Sequence, residues 1–244
     1  MSSPRFFVNS ENVHGDKIVI NGDEHVHLHS VLRIKIGDHV EVCCGDGKVF
    51  DGLVELVGKK ESVVKIQSFR VEPKPAFGVT LFLAITKSER MDWAVQKCTE
   101  LGIDTIIPFE SQYCTAKDRG NKLDRLNRIA VSACKQSGRA YLPKIEPTIT
   151  FAKLLSSVQV MPQVVLAYEN DLTPAKQIIS KLKQADVGII IGSEGGFSQT
   201  EVNKLVGAGA KCVSLGENVL RVETAAVALT SVVMFQLDFW KKGK

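Results

Sequence analysis

The sequence predicts an α/β domain built on a parallel sheet, preceded by a small antiparallel β-barrel. Three observations carry this reading. Residues 1–72 hold short apolar runs punctuated by turn signals at Asn21-Gly22, Ile36-Gly37-Asp38, Gly45-Asp46-Gly47 and Val57-Gly58, the spacing of a small barrel. Val71-Glu-Pro-Lys-Pro-Ala76 sets two prolines in a stiff linker, which places the boundary between residues 72 and 73. From Pro75 onward, apolar runs alternate with helical patterns, as a parallel sheet covered on both faces requires.

In the first domain, His39-Val-Glu-Val-Cys and Ser62-Val-Val-Lys-Ile read as strands, and Cys44-Gly-Asp-Gly-Lys48 as a hairpin turn. In the second, Val79–Thr86 is a strand, and Ser88 can cap a helix running to Leu101, where Gly102 stops it. Ile103–Pro108 is the next strand and Leu123–Gly138 the next helix. Val164–Tyr168 is a strand, and Thr173-Pro174 opens a helix with proline first. Val187–Gly192 is a strand, and Ser198-x-x-Glu201 is a capping box. Lys211–Gly216 is the last strand, and a long apolar helix starts near Thr224.

Composition excludes several classes. With 44% hydrophobic residues, 19 Gly and 8 Pro in 244 residues, the chain is neither disordered nor collagen-like. The stretch Ala225–Trp240 is broken by Thr230, Ser231, Gln236 and Asp238, so it reads as a core helix, not a membrane span. The start, Met-Ser-Ser-Pro-Arg-Phe-Phe, lacks the charged and apolar regions of a signal peptide, and a cytoplasmic protein is expected. Six cysteines without a CxxC pair predict reduced, mostly buried thiols and no structural metal.

The net charge of +4 is unevenly spread. Residues 1–72 hold 9 Lys+Arg against 11 Asp+Glu, whereas residues 117–144 hold 8 against 2. Lys117, Arg119 and Lys122 precede Arg125, Arg128, Lys135 and Arg139, and the last four share a helix face with Ser132 at spacings of three and four. Leu123, Leu126, Ala130 and Ala133 take another face. Such a stripe suits a phosphate backbone, or is a solvated helix face.

Ligands of open α/β sheets bind beyond the carboxyl ends of strands, and two such ends stand out. Ile189-Ile-Ile-Gly-Ser-Glu-Gly-Gly-Phe-Ser198 lets backbone pass close to a ligand. Its Glu194 would repel phosphate but favour a cation or accept hydrogen bonds; an ordinary tight turn is the alternative. Ser214–Ala226 holds Glu217, Arg221 and Glu223 between a buried strand and an apolar helix. Charges so placed belong to a ligand site or to a structural pair of Arg221 with either glutamate. No GxGxxG, GxxxxGK[ST] or GxSxG motif occurs, and all five histidines precede residue 40. Hydrolysis with a histidine base is disfavoured accordingly. His25, His27 and His29 alternate along one side of an expected strand without an acidic or thiol partner, so metal binding has little support.

These residues, taken together, resemble the RsmE family of SPOUT methyltransferases, which methylate uridine N3 in small-subunit (16S) ribosomal RNA. The similarity rests on Pro4-Arg-Phe-Phe-Val8, Val31-Leu-Arg33, Arg90-Met-Asp-Trp-Ala-Val-Gln-Lys-Cys-Thr-Glu-Leu-Gly102, Ala133-Cys-Lys-Gln-Ser-Gly-Arg139, Ile191–Gly196 and Leu215–Ala225, in order along nearly the whole chain. Ser193 stands where the family usually has proline, and Val222 where threonine is common. The resemblance implies a PUA-like barrel that helps hold RNA, a SPOUT domain with a C-terminal trefoil knot, and a homodimer. It also implies S-adenosylmethionine held by Leu166, Ala167, Gly192, Glu194, Gly195, Leu215, Gly216, Val219, Leu220 and Ala225.

Methylation at N3 requires a held uracil and stabilised negative charge on its carbonyls. Arg139 is the first candidate for that charge and Arg221 the second, while Glu194 would orient the cofactor or accept the proton. Arg125, Arg128 and Lys135 are expected to contact RNA. So are Arg5, Arg33, Lys87 and Arg90, each with a surface salt bridge as its alternative. Competing readings are ribose 2′-O methylation, a non-catalytic RNA-binding assembly factor, and a nucleotide-dependent enzyme on a Rossmann-like sheet.

Overall fold

The structure, a computed structural model, describes residues 3–114 and 122–240. Lys117 and Arg119 of the basic stretch lie outside them. The chain forms two compact units, the first running through Lys74 and including Cys134–Leu142, the second holding Pro75–Ala133 and the rest. The sequence marks one division at the linker; the return of Cys134–Leu142 to the first unit is a tertiary feature with no local signal.

The first unit is a six-stranded sheet of β1 (Arg5–Phe7), β2 (Val13–His14), β3 (Lys17–Asn21), β4 (His39–Cys43), β5 (Lys48–Val57) and β6 (Glu61–Val71), in the order β1-β4-β5-β6-β3-β2. Neighbours are antiparallel except β1 and β4, which run parallel. The hairpin at Cys44–Lys48 forms as expected, with Gly45 and Gly47 at φ of +80° and +95°. Alternate residues of these strands, among them Phe6, Ile18, Ile20, Val40, Val42, Val54 and Val64, bury into one core.

The histidine segment is not a strand. Gly22–Val26 forms helix α1, continued by a π-helical turn at His27–Val31. Asp23 and Glu24 sit in the first turn, where the helix dipole favours acidic side chains. On a helix, residues four apart share a face. His25 and His29 therefore stack at 5.8 Å, His27 turns to the Phe6 ring, and buried His25 bonds Ser62 Oγ at 2.9 Å. Among the described residues no group of three His, Cys, Asp or Glu side chains converges.

The second unit is a parallel sheet of β7 (Val79–Ala84), β8 (Thr105–Phe109), β9 (Lys144–Ile145), β10 (Gln163–Ala167), β11 (Val187–Ile191) and β12 (Lys211–Val213), ordered β12-β10-β11-β7-β8-β9. Its helices are α2 (Ser88–Leu101), α3 (Lys122–Ser137), α4 (Phe151–Val160), α5 (Ala175–Ile179), α6 (Gln199–Gly207) and α7 (Val222–Gln236). Strand side chains alternate between two cores. Leu81, Leu83, Ile189 and Ile191 pack with α2, α5 and α7, whereas Phe82, Ala84 and Ile190 pack with α4 and α6. Helices thus cover both faces, as fully apolar strands require.

Ends differ by a residue or two from the sequence reading. Lys87, not Ser88, occupies the cap position of α2, and Pro174 that of α5. The Ser198–Glu201 capping box forms as expected. All six cysteines are free; burial pushes the Cys43 and Cys98 thiols up to about 12 and the Cys134 and Cys212 thiols up to about 11, where they stay protonated. No helix among the described residues is long and apolar enough to cross a membrane.

Candidate active site

A cavity of about 230 Å³ opens at the carboxyl ends of β10, β11 and β12, where a parallel sheet leaves unpaired backbone and room between loops. Three segments wall it. Ala167, Tyr168 and Glu169 leave β10; Ile191, Gly192, Ser193 and Glu194 leave β11; and the loop from Leu215 to Ala225 joins β12 to α7.

The β11 segment turns sharply. Gly196 N–H donates to Ser193 C=O at 2.9 Å, and Gly196 sits at φ +67°. A Cβ on Gly192 would come within 2.8 Å of the Phe197 ring, which is buried and stacked on Phe109. Neither glycine therefore tolerates a side chain without a shift. Ser193 is buried, and its hydroxyl has no hydrogen-bond partner among the described residues. An orphaned buried hydroxyl costs free energy unless something else meets it.

Glu194 points across to Arg90, whose Nη1 lies 3.3 Å from its Oε1. Burial pushes the Glu194 carboxyl up, but the nearby Thr86 hydroxyl, the Glu194 and Lys87 N–H groups and the Arg90 charge outweigh it and hold the group below its ordinary range. The Thr86 hydroxyl forms no regular hydrogen bond among the described residues. Arg90, expected at RNA, is thus an ion-pair partner on the cavity wall.

In the third segment, Gly216 at φ +120° turns the chain out of the sheet. Leu215, Gly216, Val219, Leu220, Arg221 and Ala225 all face the cavity, and Val219 is 83% exposed. Arg221 occupies the cap position of α7. Among the described residues no ion pair joins it to Glu217 or Glu223, and a buried oxygen of Glu223 has no partner. The structural-pair alternative for this loop does not form.

Of the residues expected at the cofactor, Ala167, Gly192, Glu194, Leu215, Gly216, Val219, Leu220 and Ala225 line the cavity. Leu166 lies behind it in the core, and Gly195 backs onto Tyr113. Sequence reasoning missed Glu169 on the wall. Glu169 carried the same signal as its neighbours, since it follows a strand end directly.

The basic residues are largely committed elsewhere. In the first unit, Arg5 is 9% exposed in its side chain and donates to Glu41 Oε2 from Nε at 3.0 Å and Nη2 at 2.7 Å, and to the Gly138 carbonyl. Glu41 also accepts from Arg70 at 2.8 Å. Lys135 pairs with Glu24 at 2.5 Å over the Phe6 ring. Arg139 N–H donates to Cys134 C=O at 3.0 Å, and the following residues bond to the hairpin through Gly47 N–H to Ala140 C=O and Leu142 N–H to Gly45 C=O. Arg33 is exposed at φ +54°. In the second unit Arg125 pairs with Asp92 at 2.8 Å, whereas Lys87 and Arg128 are exposed.

Comparison with known proteins accords with this geometry. A model of the RNA methyltransferase domain matches residues 72–234, and one of the RNA methyltransferase PUA domain matches residues 18–67. The fold is therefore of the RNA methyltransferase class. A ribosomal RNA small subunit methyltransferase E of Rickettsia conorii is 32% identical over 235 residues, with 96% of each chain covered. A Legionella pneumophila methyltransferase solved in complex with S-adenosylmethionine superposes with a TM-score of 0.88 at 29% identity, over 96% of this chain and 98% of that one. The ribosomal RNA small subunit methyltransferase E of Neisseria gonorrhoeae, solved bound to S-adenosylmethionine, gives 0.85 at 26% over the same shares. The chain belongs to the family of ribosomal RNA small subunit methyltransferases E.

Proposed function

We propose that the protein transfers a methyl group from S-adenosylmethionine to N3 of a specific uracil in 16S ribosomal RNA. The observation that carries this reading is the cavity at the ends of β10, β11 and β12, in a chain whose structural relatives hold S-adenosylmethionine. Its chemistry fits that cofactor. Ile191, Leu215, Val219 and Leu220 offer apolar surface to an adenine, and Ser193 offers an unmatched hydroxyl. The Glu169 and Glu194 carboxylates suit the cofactor's positive centres. When bound, the cofactor supplies a methyl group made electrophilic by its sulfonium.

The chain must then hold the uracil ring in line, accept or relay the N3 proton, and stabilise charge on the ring carbonyls. Arg139 is assigned that charge, with Arg221, already on the cavity wall, as the second candidate. Glu194, ionised and paired with Arg90, suits orienting a cation better than accepting a proton, because a weakly basic carboxylate matches the uracil N–H poorly. Residues 1–72 form the PUA-like barrel and hold RNA; residues 73–244 form the SPOUT domain with its trefoil knot. Arg33, Lys87 and Arg128 contact RNA, two chains pair as a homodimer, and the protein works in the cytoplasm.

The test is methyl transfer to small ribosomal subunits lacking the modification, followed by nuclease digestion and nucleoside analysis. The expected product is 3-methyluridine. A 2′-O-methylated nucleoside moves the target atom to the ribose. Cofactor binding without transfer reassigns the chain as an RNA-binding assembly factor. Arg139→Ala is expected to lose turnover while keeping cofactor affinity, and equal loss of both would remove its catalytic role.

A further inference from the structure

Tyr113 is a large aromatic side chain left 44% exposed beside the loop that walls the cavity. A Cβ on Gly195 would lie 2.8 Å from the Tyr113 Cβ, so the two segments touch, and the residue before Gly195 is the cavity-lining Glu194. Gly195 thus allows Tyr113 its close approach.

The segment carrying the ring is fixed. Gln112 N–H donates to Glu201 Oε1 at 2.8 Å. The other Glu201 oxygen accepts from the Ser198 N–H at 3.0 Å and the Ser198 hydroxyl at 3.1 Å. Glu201 is only 6% exposed. Its carboxylate therefore serves both as the capping-box partner of α6 and as a clasp on the Tyr113 segment. Glu110 N–H to Ile149 C=O at 3.0 Å and Cys114 N–H to Ser111 C=O at 3.1 Å hold the turn on either side. An aromatic ring presented to solvent from a backbone anchored by a buried carboxylate loses little conformational freedom when a ligand covers it.

We infer that Tyr113 is a base-stacking residue that receives a nucleobase of the RNA substrate at the rim of the methyl-transfer cavity. The inference rests on the reading of that substrate as RNA. Every nucleobase offers a π face to a phenol ring, and such stacking accounts for much of the affinity of proteins for unpaired bases. Tyr113 acts on substrate placement and takes no part in the proton or methyl transfer.

The experiment uses the full chain, small subunits lacking the modification, and S-adenosylmethionine. Tyr113→Ala is expected to lower kcat/KM for subunits about tenfold or more, the scale of one lost base stack, with the dissociation constant for S-adenosylmethionine and the Tm unchanged. Tyr113→Phe, which keeps the ring, is expected to stay within about twofold of wild type on the same scale. Tyr113→Trp supplies a direct readout: its fluorescence is expected to be quenched by a single-stranded oligonucleotide of small-subunit sequence. Wild-type activity in Tyr113→Ala overturns the inference. So does parallel loss of cofactor binding, which would make the residue structural, or failure of Tyr113→Phe, which would point to the hydroxyl. If the wild-type chain transfers no methyl group, the reading of its function fails, and the Tyr113→Trp signal alone decides this one. A signal that responds to protein concentration and not to RNA means that a second copy of the chain covers Tyr113, and overturns it as well.

Discussion

The cavity loops and the basic residues differ in how their charged groups are paired within the chain. At the cavity, the Ser193 hydroxyl is buried without a partner among the described residues, and Arg221 faces the space without pairing to Glu217 or Glu223. Among the basic residues, Arg5, Lys135 and Arg125 are each held by a carboxylate within 3 Å, although Arg125 Nε and Lys122 Nζ are buried without a hydrogen-bond partner among the described residues. Unsatisfied polar atoms in a concave, glycine-lined space mark where a ligand completes the structure. Paired charges mark architecture. A charge count registers the second as strongly as the first, so a basic stretch overstates the surface free to meet RNA.

Substitution at Gly192 is expected to have the largest effect on the cavity side. The Phe197 ring that a new Cβ would meet is buried and stacked at 6.2 Å on Phe109, so it yields little. Gly192→Ala should cost about 1–3 kcal/mol of stability by overpacking. Affinity for S-adenosylmethionine, read by calorimetry, should fall by about 30-fold or more, since a shift of the loop disturbs several contacts at once. Lost stability with intact affinity would separate the cavity from the cofactor.

Arg5 supplies the counterpart in the first unit. Arg5→Ala leaves the Gly138 carbonyl without its donor and Glu41 with Arg70 as its remaining cation. The expected cost is about 2–3 kcal/mol of unfolding free energy, with no change in the salt dependence of RNA binding. A shallower salt slope would restore Arg5 as an RNA contact. Burial pushes the Glu41 carboxyl up, but hydrogen bonds from Arg70 and Arg5 outweigh it and hold the group below its ordinary 4.5. Its contribution is therefore complete above pH 4.5 and lost as pH falls through the lower folded-state value. Thermal melts of wild type and Glu41→Gln should accordingly differ most near neutrality and converge in acid.

Ser193→Ala sharpens the contrast because its two effects have opposite signs. Removing an unsatisfied buried hydroxyl should raise stability by up to about 1 kcal/mol, while affinity for S-adenosylmethionine falls about five- to tenfold. A loss of stability instead would mean that the hydroxyl already has a partner within the protein.

Much of the second unit was legible because its signals are local. Val187–Gly192 is apolar throughout, Ser198 and Glu201 are three residues apart, and the loops after three strands hold the glycines and charges that wall the cavity. Helix α4 carries a weaker signal: Thr150 is its cap, but its sequence ends Val-Gln-Val, which is strand-like, and the buried pair Leu154 and Val158 is too short a stripe to fix a period. His25, His27 and His29 misled for a related reason, since a two-residue alternation over five positions also fits a helix. Pairing was invisible altogether. Arg5 meets Glu41 across 36 residues and Lys135 meets Glu24 across 111, distances over which periodicity says nothing. Tyr113 and Glu201 belong to the same class, with 89 positions between Gln112 and its acceptor.

The smallest expected effect tests whether any of the basic stripe is free. On α3, Arg125 is tied to Asp92, and Lys135 groups with the first unit and is tied to Glu24, but Arg128 is exposed and forms no ion pair among the described residues. If α3 meets a phosphate backbone, Arg128 is the side chain that reaches it without first giving up a partner. Arg128→Ala should weaken binding of small-subunit RNA a few-fold and reduce the slope of log affinity against log salt by about one, leaving Tm unchanged. Lys135→Ala should do the reverse, lowering Tm while the slope stays near its wild-type value. Equal slopes in all three proteins would mean that the stripe is architecture along its whole length, and that RNA is held by the first 72 residues and the rim of the cavity.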